Sequence, residues 1–418
     1  MRLLYSLAWL FALPFAFLHL LRRARQQPEY LRHWGERLGF ARVPPGQPLI
    51  WLHAVSVGET RAAAPLVRAL QARHPGHAIL LTHATPTGRA TGAELFGNSV
   101  LQSYLPYDFP PLVRLFLRRV RPAMGVIMET EIWPNLYAAC AQRKIPLFLV
   151  NARLSEKSAR GYGRFRALAA PALRSLAGIA AQTEGDARRL RELGAERVNI
   201  SGNVKFDVTP PPDSDERARG LRETFAGRFV FLAASTREGE EALLLDALAG
   251  LEIPGLLLVL VPRHPQRFDA VAGLLEQRQL PYVRRSEARP LAKEIRVLLG
   301  DSMGELAAYY AAADLAYVGG SLLPLGGQNL IEAAAAGCPA LIGPHTWNFA
   351  EAAEQAVACG AARRVADVAE LARSVAALYR RPEELQQMRE AGLRFAAENR
   401  GATERVMELL EGALREQG

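Results

Sequence analysis

The sequence predicts an α/β protein of two doubly wound parallel sheets, preceded by an apolar N-terminal helix. Three observations predict it. From Leu49 onward, short apolar runs alternate with segments of helical period. That rhythm breaks once, at DVTPPPDSDERA from Asp207, and then restarts. Before it, LLYSLAWLFALPFAFLHLL (Leu3 to Leu21) carries no formal charge apart from what His19 takes up.

The N-terminal run approaches the length that crosses a roughly 30 Å hydrocarbon layer. Arg22, Arg23 and Arg25 follow it and place the remainder on the cytoplasmic side. No small-residue cleavage site follows, so an uncleaved anchor over 1–25 is expected, attached to the inner membrane's cytoplasmic face. A spanning and an in-plane helix both remain open. The first sheet draws on LIWLH (49–53), AILLTH (78–83), MGVIM (124–128), PLFLV (146–150) and the weaker GIAAQ (178–182). Unbroken apolar strands with helices between them read as a sheet buried on both faces. Three prolines and four acids make a linker near 207–216. The second sheet draws on FVFLAAS (229–235), LLLVLVP (256–262), IRVLLG (295–300), LAYVGG (315–320) and ALIGP (340–344). Domains over 26–206 and 207–418 follow, facing each other across a cleft.

Composition narrows the function classes. Of 418 residues, 51 are basic and 42 acidic, a net charge of +9 that suits an anionic membrane surface or a phosphorylated substrate. No nucleic-acid module or long basic run appears. Cys140, Cys338 and Cys359 are few and scattered, so neither a disulfide framework nor a zinc site is indicated. Only Lys144, Lys157, Lys205 and Lys293 are lysines, in a chain that otherwise uses arginine. No GxGxxG follows the first strand, and no GxxxxGK[ST] occurs. No Asp-x-Asp metal pair and no His-x₃-His is found, so no metal or cofactor is expected.

In such sheets, chemistry collects in the turns that leave the strands. HAVSVGE ends in Glu59 at a helix start, which is a general-base position or a dipole-favourable cap. ETEIWPN places Glu129 and Glu131 after a strand, as acid-base residues or as a cap. NARLSEKS (151–158) mixes amide, guanidinium, hydroxyl and ammonium groups. GNVKFD carries Lys205. In the second domain, AASTREGEE, VPRHPQR, GDSMGE and GGQNLIE bring four polar turns to one sheet edge. Helix-start N–H groups there suit a phosphate, and Arg263 adds charge-assisted bonds. Glu332, three residues after Asn329, suits ribose hydroxyls.

Taken together and in this order, HAVSVGE, ETEIWPN, NARLSEKS, GNVKFD, VPRHPQR and GGQNLIEAAAAGCP resemble the 3-deoxy-D-manno-octulosonic acid (Kdo) transferases of lipopolysaccharide biosynthesis. The resemblance runs from the anchor to about residue 400. It implies the GT-B fold, with an acceptor-binding first domain and a donor-binding second one. It implies transfer of Kdo from CMP-Kdo to a lipid A precursor, lipid IVA, inverting and without metal. It implies Glu59 as base, with Glu131 (Glu129 in second place) and Lys205 assisting. It implies a CMP site of Pro262, Arg263, Met303, Gly304, Glu305, Asn329, Leu330, Ile331 and Glu332. The competing readings are another nucleotide-sugar donor, a sugar-nucleotide epimerase of similar fold, and a membrane-bound nucleotide-sugar sensor.

Overall fold

A computed structural model describes residues 1–25, 27–44 and 46–415. The chain divides into two compact units. The first runs to Val208 and resumes at Arg400; the second is Thr209–Asn399.

Each unit is a seven-stranded, all-parallel sheet. In the first the order is β3-β2-β1-β4-β5-β6-β7, with β1 Leu49–His53, β2 Ala78–His83, β3 Leu101–Tyr104, β4 Met124–Met128, β5 Leu147–Ala152, β6 Gly178–Ala181 and β7 Val198–Ile200. In the second it is β10-β11-β9-β8-β12-β13-β14, with β8 Val230–Thr236, β9 Leu257–Pro262, β10 Tyr282–Arg284, β11 Val297–Leu299, β12 Leu315–Val318, β13 Ala340–Ile342 and β14 Ala362–Arg364.

Alternation along one strand shows why these runs are apolar throughout. Leu49 and Trp51 of β1 pack into one hydrophobic layer with Phe116 and Leu149. Ile50 and Leu52 pack into the other, with Val67, Val126 and Val150. Neither face meets water, so the run from Leu49 to Leu52 is apolar throughout, and polar residues such as His53 come at the strand's end. Strand order reverses between β1 and β4 in the first unit, and between β8 and β12 in the second. Those are the switch points where such sheets bind ligands, beyond the strands' carboxyl ends.

The ten apolar runs identified in the sequence are strands. The four that escaped notice, β3 (LQSY), β7 (VNI), β10 (YVR) and β14 (ARR), are the sheet edges, short and half polar. The domain boundary needs a correction. Residues 207–418 do not form one unit, because the helix Ala402–Arg415 belongs to the first. Ala402, Val406, Met407 and Leu410 are wholly buried there with Val67, Leu70 and Val204. Asp207 accepts from Gly401 N at 2.7 Å and Thr403 N at 2.5 Å, which fixes the start of that helix. The linker is also shorter than expected, since Asp207 closes a 3₁₀ turn (Val204–Asp207) and Ser214 opens a helix (Ser214–Phe225).

The helix Arg2–Ala24 is long and apolar enough to cross a membrane by length and composition. It is not detached from the first unit. Ser6 Oγ donates to Asn135 Oδ1 at 2.9 Å, and the rings of Trp9 and Phe17 stand 5.9 Å from those of Tyr107 and Trp34. Its other side leaves Leu3, Leu7, Phe11, Phe15 and Leu18 exposed.

Candidate active site

In the first unit, the turns after β1 and β4 flank the switch point and carry three carboxylates. Ser56 caps the helix Val57–Ala62: its Oγ accepts from Glu59 N at 3.4 Å. Glu59 returns the contact, its carboxylate accepting from Val55 N at 2.8 Å and Ser56 Oγ at 3.1 Å. This is a variant of the reciprocal capping box, in which the carboxylate takes the N–H one residue before the cap. Glu59 is thus a cap, but not an ordinary one. Burial, and then the charge of Glu129, push its carboxyl up to about 7, with Glu131 adding to the rise.

Glu129 leaves β4 with φ +56°, a left-handed conformation that turns the chain sharply and that glutamate seldom takes. Its Oε1 pairs with Lys205 Nζ at 3.1 Å. Glu131 is pushed up to about 7 by burial and by Glu129. The Trp133 indole N–H lies beside it and opposes the rise, in a geometry short of a regular hydrogen bond. Tyr137 OH donates to the Glu131 carbonyl, and Thr130 Oγ1 to the Arg153 carbonyl, which fixes the turn between the acids.

Lys205 is held from behind. Asn203 Oδ1 accepts from Lys205 N at 3.0 Å, and Asn151 Oδ1 accepts from Val204 N at 3.2 Å. Asn151 of NARLSEKS therefore anchors the lysine's loop, while Ser155 caps the next helix, accepting from Ser158 N at 3.2 Å. Of the four lysines, Lys144, Lys157 and Lys293 are exposed; Lys205 is half-buried in its ion pair. His53 is a buried strand-end histidine, with Nδ1 2.9 Å from Thr82 Oγ1. The sequence reading missed Asp108, a buried carboxylate that accepts from Asn135 N at 3.1 Å and Leu136 N at 2.8 Å. It fixes the helix Pro134–Gln142 that follows the ETE turn.

The cluster makes a pH prediction. With the Glu59 carboxyl near 7, activity that requires its ionised form falls as pH drops through about 7. Glu129→Gln removes the charge that raises both Glu59 and Glu131. Its loss lowers the two pKa values. The acid limb of kcat/KM against pH is expected to move to lower pH. An unmoved limb would show that Glu129 does not tune the pair.

In the second unit, Arg263 follows β9 directly. Its N donates to Thr236 O at 3.0 Å, and its Nε to Gln328 Oε1 at 3.2 Å. Pro262 is the strand's final residue. Gly319 can only be glycine: a Cβ there would lie 2.4 Å from Ser235 O. Asn329 Nδ2 donates to Glu332 Oε1 at 2.9 Å and its Oδ1 accepts from Ile331 N at 3.1 Å, so the two form one polar edge. Leu330 and Ile331 are buried, with Ile331 N already taken by Asn329 Oδ1. Met303 is exposed and Gly304 has φ +81°. The Glu305 side chain points inward, taking a hydrogen bond from Ser302 Oγ and pairing with Arg285 at 3.0 Å. The sequence reading passed over Arg237, in the turn after β8, and Glu240, the first residue of the helix Glu240–Leu248.

Residues 32–208 match the family model described as 3-deoxy-D-manno-octulosonic-acid transferase (kdotransferase), and 226–395 match glycosyl transferases group 1. The 3-deoxy-D-manno-octulosonic acid transferase of Bordetella pertussis is 44% identical over 97% of this chain and 98% of its own. The Haemophilus influenzae enzyme of the same name is 40% identical over 92% of each chain. Among solved structures, UDP-GlcNAc 2-epimerase from Neisseria meningitidis bound to UDP-GlcNAc superposes with TM-score 0.60. It is 16% identical and spans 87% of this chain and 100% of that one, a likeness of fold alone.

Proposed function

Since this chain belongs to the 3-deoxy-D-manno-octulosonic acid (Kdo) transferase family, and is therefore a glycosyltransferase, we propose that it moves Kdo from CMP-Kdo to a lipid A precursor, lipid IVA, with inversion, without metal, and with release of CMP. The observation that carries the reading is the carboxylate cluster at the first switch point. Glu59 and Glu131 are both pushed up to about 7, and Glu129 is paired with Lys205.

Glu59 takes the proton of the acceptor hydroxyl as its oxygen attacks the anomeric carbon. The bond from that carbon to the phosphate oxygen breaks, and its electron pair leaves with CMP. A base with a pKa near neutrality is matched to this task at neutral pH. Attack opposite the leaving group inverts the centre. The positive charge that develops on the sugar is stabilised by the Glu131 carboxylate, with Glu129 holding Lys205 in place beside it. CMP is a stable phosphate and needs positive charge rather than a proton. Arg263 supplies that charge, beside a nucleotide pocket of Pro262, Met303, Gly304, Glu305 and the Asn329–Glu332 edge. The first unit handles the acceptor and the second the donor.

The acceptor is an acylated, phosphorylated lipid. The exposed apolar side of the helix Arg2–Ala24 and the arginines that follow it suit the cytoplasmic face of the inner membrane. Contacts spread from Ser6 to Phe17 favour a helix lying in the plane of the interface.

The test is transfer by the full chain from CMP-Kdo to tetraacylated lipid A precursor in anionic vesicles with EDTA present, read by mass spectrometry of the lipid. Lipid heavier by one or more Kdo units, from protein that pellets with the vesicles, is the expected result. CMP binding without transfer would overturn the acceptor. Transfer that EDTA abolishes would overturn metal independence.

A further inference from the structure

The second unit's switch point lies between β8 and β12, and the turns leaving both strands are joined by one carboxylate. Glu240 is wholly buried. Its Oε2 accepts from Arg237 N at 2.9 Å and Gly320 N at 2.7 Å; its Oε1 accepts from Tyr317 OH at 2.5 Å. The backbone of Arg237 is therefore fixed beside the Gly319–Gly320 turn. The side chain runs along it: a Cβ on Gly320 would lie 3.6 Å from Arg237 Cγ and 3.3 Å from Gln328 Nε2. Gln328 in turn accepts from Arg263 Nε on its Oε1. The stem of Arg237 and the amide that holds Arg263 thus meet at the same glycine turn, at the sheet's carboxyl edge. His264 senses both: burial first, then Arg263, then Arg237 hold its pKa below the ordinary value.

Arg267, nearby, is spent on Glu241 at 2.9 Å. Arg237 is half-buried and its guanidinium makes no ion pair among the described residues. Partial burial of an uncompensated cation costs free energy that a ligand anion recovers on binding. The donor proposed above carries two anions, a phosphodiester and the carboxylate of the sugar, and the following step rests on that reading. We infer that Arg237 binds the carboxylate of the transferred sugar while Arg263 holds the phosphate. The allocation follows from Gln328. It ties Arg263 to the turn leading into Asn329–Glu332, the nucleotide edge, whereas Arg237 projects from the turn after β8. A guanidinium fork on a carboxylate makes two parallel charge-assisted bonds, so this residue recognises an acidic sugar rather than a neutral one.

The test compares R237A and R237K with the unaltered chain, measuring KM for CMP-Kdo and the inhibition constant of CMP. Glu240 takes only the backbone N–H of residue 237, so both variants keep the lock between the turns. R237A is expected to raise KM roughly 10- to 100-fold, with CMP inhibition unchanged and partial recovery in R237K. An unchanged KM overturns the inference. CMP inhibition weakened in step with KM also overturns it, because Arg237 would then hold the phosphate. A chain that binds neither CMP nor CMP-Kdo before any substitution refutes the donor reading instead.

Discussion

Glu59→Gln is expected to lower kcat by about 10²- to 10⁴-fold while raising thermal stability above pH 7. The two effects together separate a base from a cap. Glutamine completes a capping box as glutamate does, so the helix Val57–Ala62 keeps its N-terminal bonds. What disappears is the carboxylate. In the folded chain its pKa is raised from 4.5 to about 7, so the native state holds a proton that the unfolded chain has released. Stability is therefore lost as pH rises from about 4.5 to about 7, and the whole cost is present above that window. The neutral amide removes the cost, so Tm at pH 8 rises and Tm at pH 4 stays level. Near-normal turnover in the variant would return Glu59 to a purely structural role.

Glu240→Ala is expected to destabilise the second unit by about 3–5 kcal/mol. The carboxylate is 0% exposed and serves Tyr317 OH, Gly320 N and Arg237 N, with Leu322 N at 3.3 Å as a longer fourth. Alanine leaves these donors buried without a partner, and each such group costs about 1–3 kcal/mol. The midpoint of urea unfolding should fall. CMP affinity should fall with it, since Gly327 N and Gln328 N bond to the carbonyls of Gly320 and Gly319. The beginning of the proposed nucleotide edge hangs on the turn that Glu240 holds. Retention of both stability and affinity would mean that the β12 turn keeps its shape without the lock.

The strands of this protein were legible because parallel strands buried on both faces become unbroken apolar words such as MGVIM and LLLVLVP. The edges were not, because YVR and ARR need no apolar residue on a side that meets solvent or a loop. The candidate site was legible as a set of turns. Glu59, Glu131 and Lys205 do converge in the first unit, and Glu129, ranked behind Glu131 in the sequence, is the residue that pairs with Lys205. Nothing in one sequence says which of two carboxylates two residues apart turns toward a lysine 70-odd positions on; only the folded backbone, left-handed at Glu129, shows that it is this one. Glu240 was hidden for a related reason. Two acids in a helix's first turn look like a dipole-favourable start, and only the fold brings Gly320 and Tyr317 to one of them. The helix Ala402–Arg415 was hidden by symmetry, since an amphipathic helix carries no address for the sheet that it covers.

The return of that helix to the first unit has a consequence for biosynthesis. The loop bearing Lys205 rests on it: Val204 packs among Ala402, Val406 and Met407, Asp207 caps it, and Arg405 Nε donates to Ser201 O at 2.7 Å. A ribosome has made the first seven strands long before it reaches residue 400. Until those final residues emerge, the lysine's seat has no backing. A nascent chain that stalls anywhere in the second unit therefore holds an unlatched Lys205 loop, and the first unit is complete only when translation has run through both units.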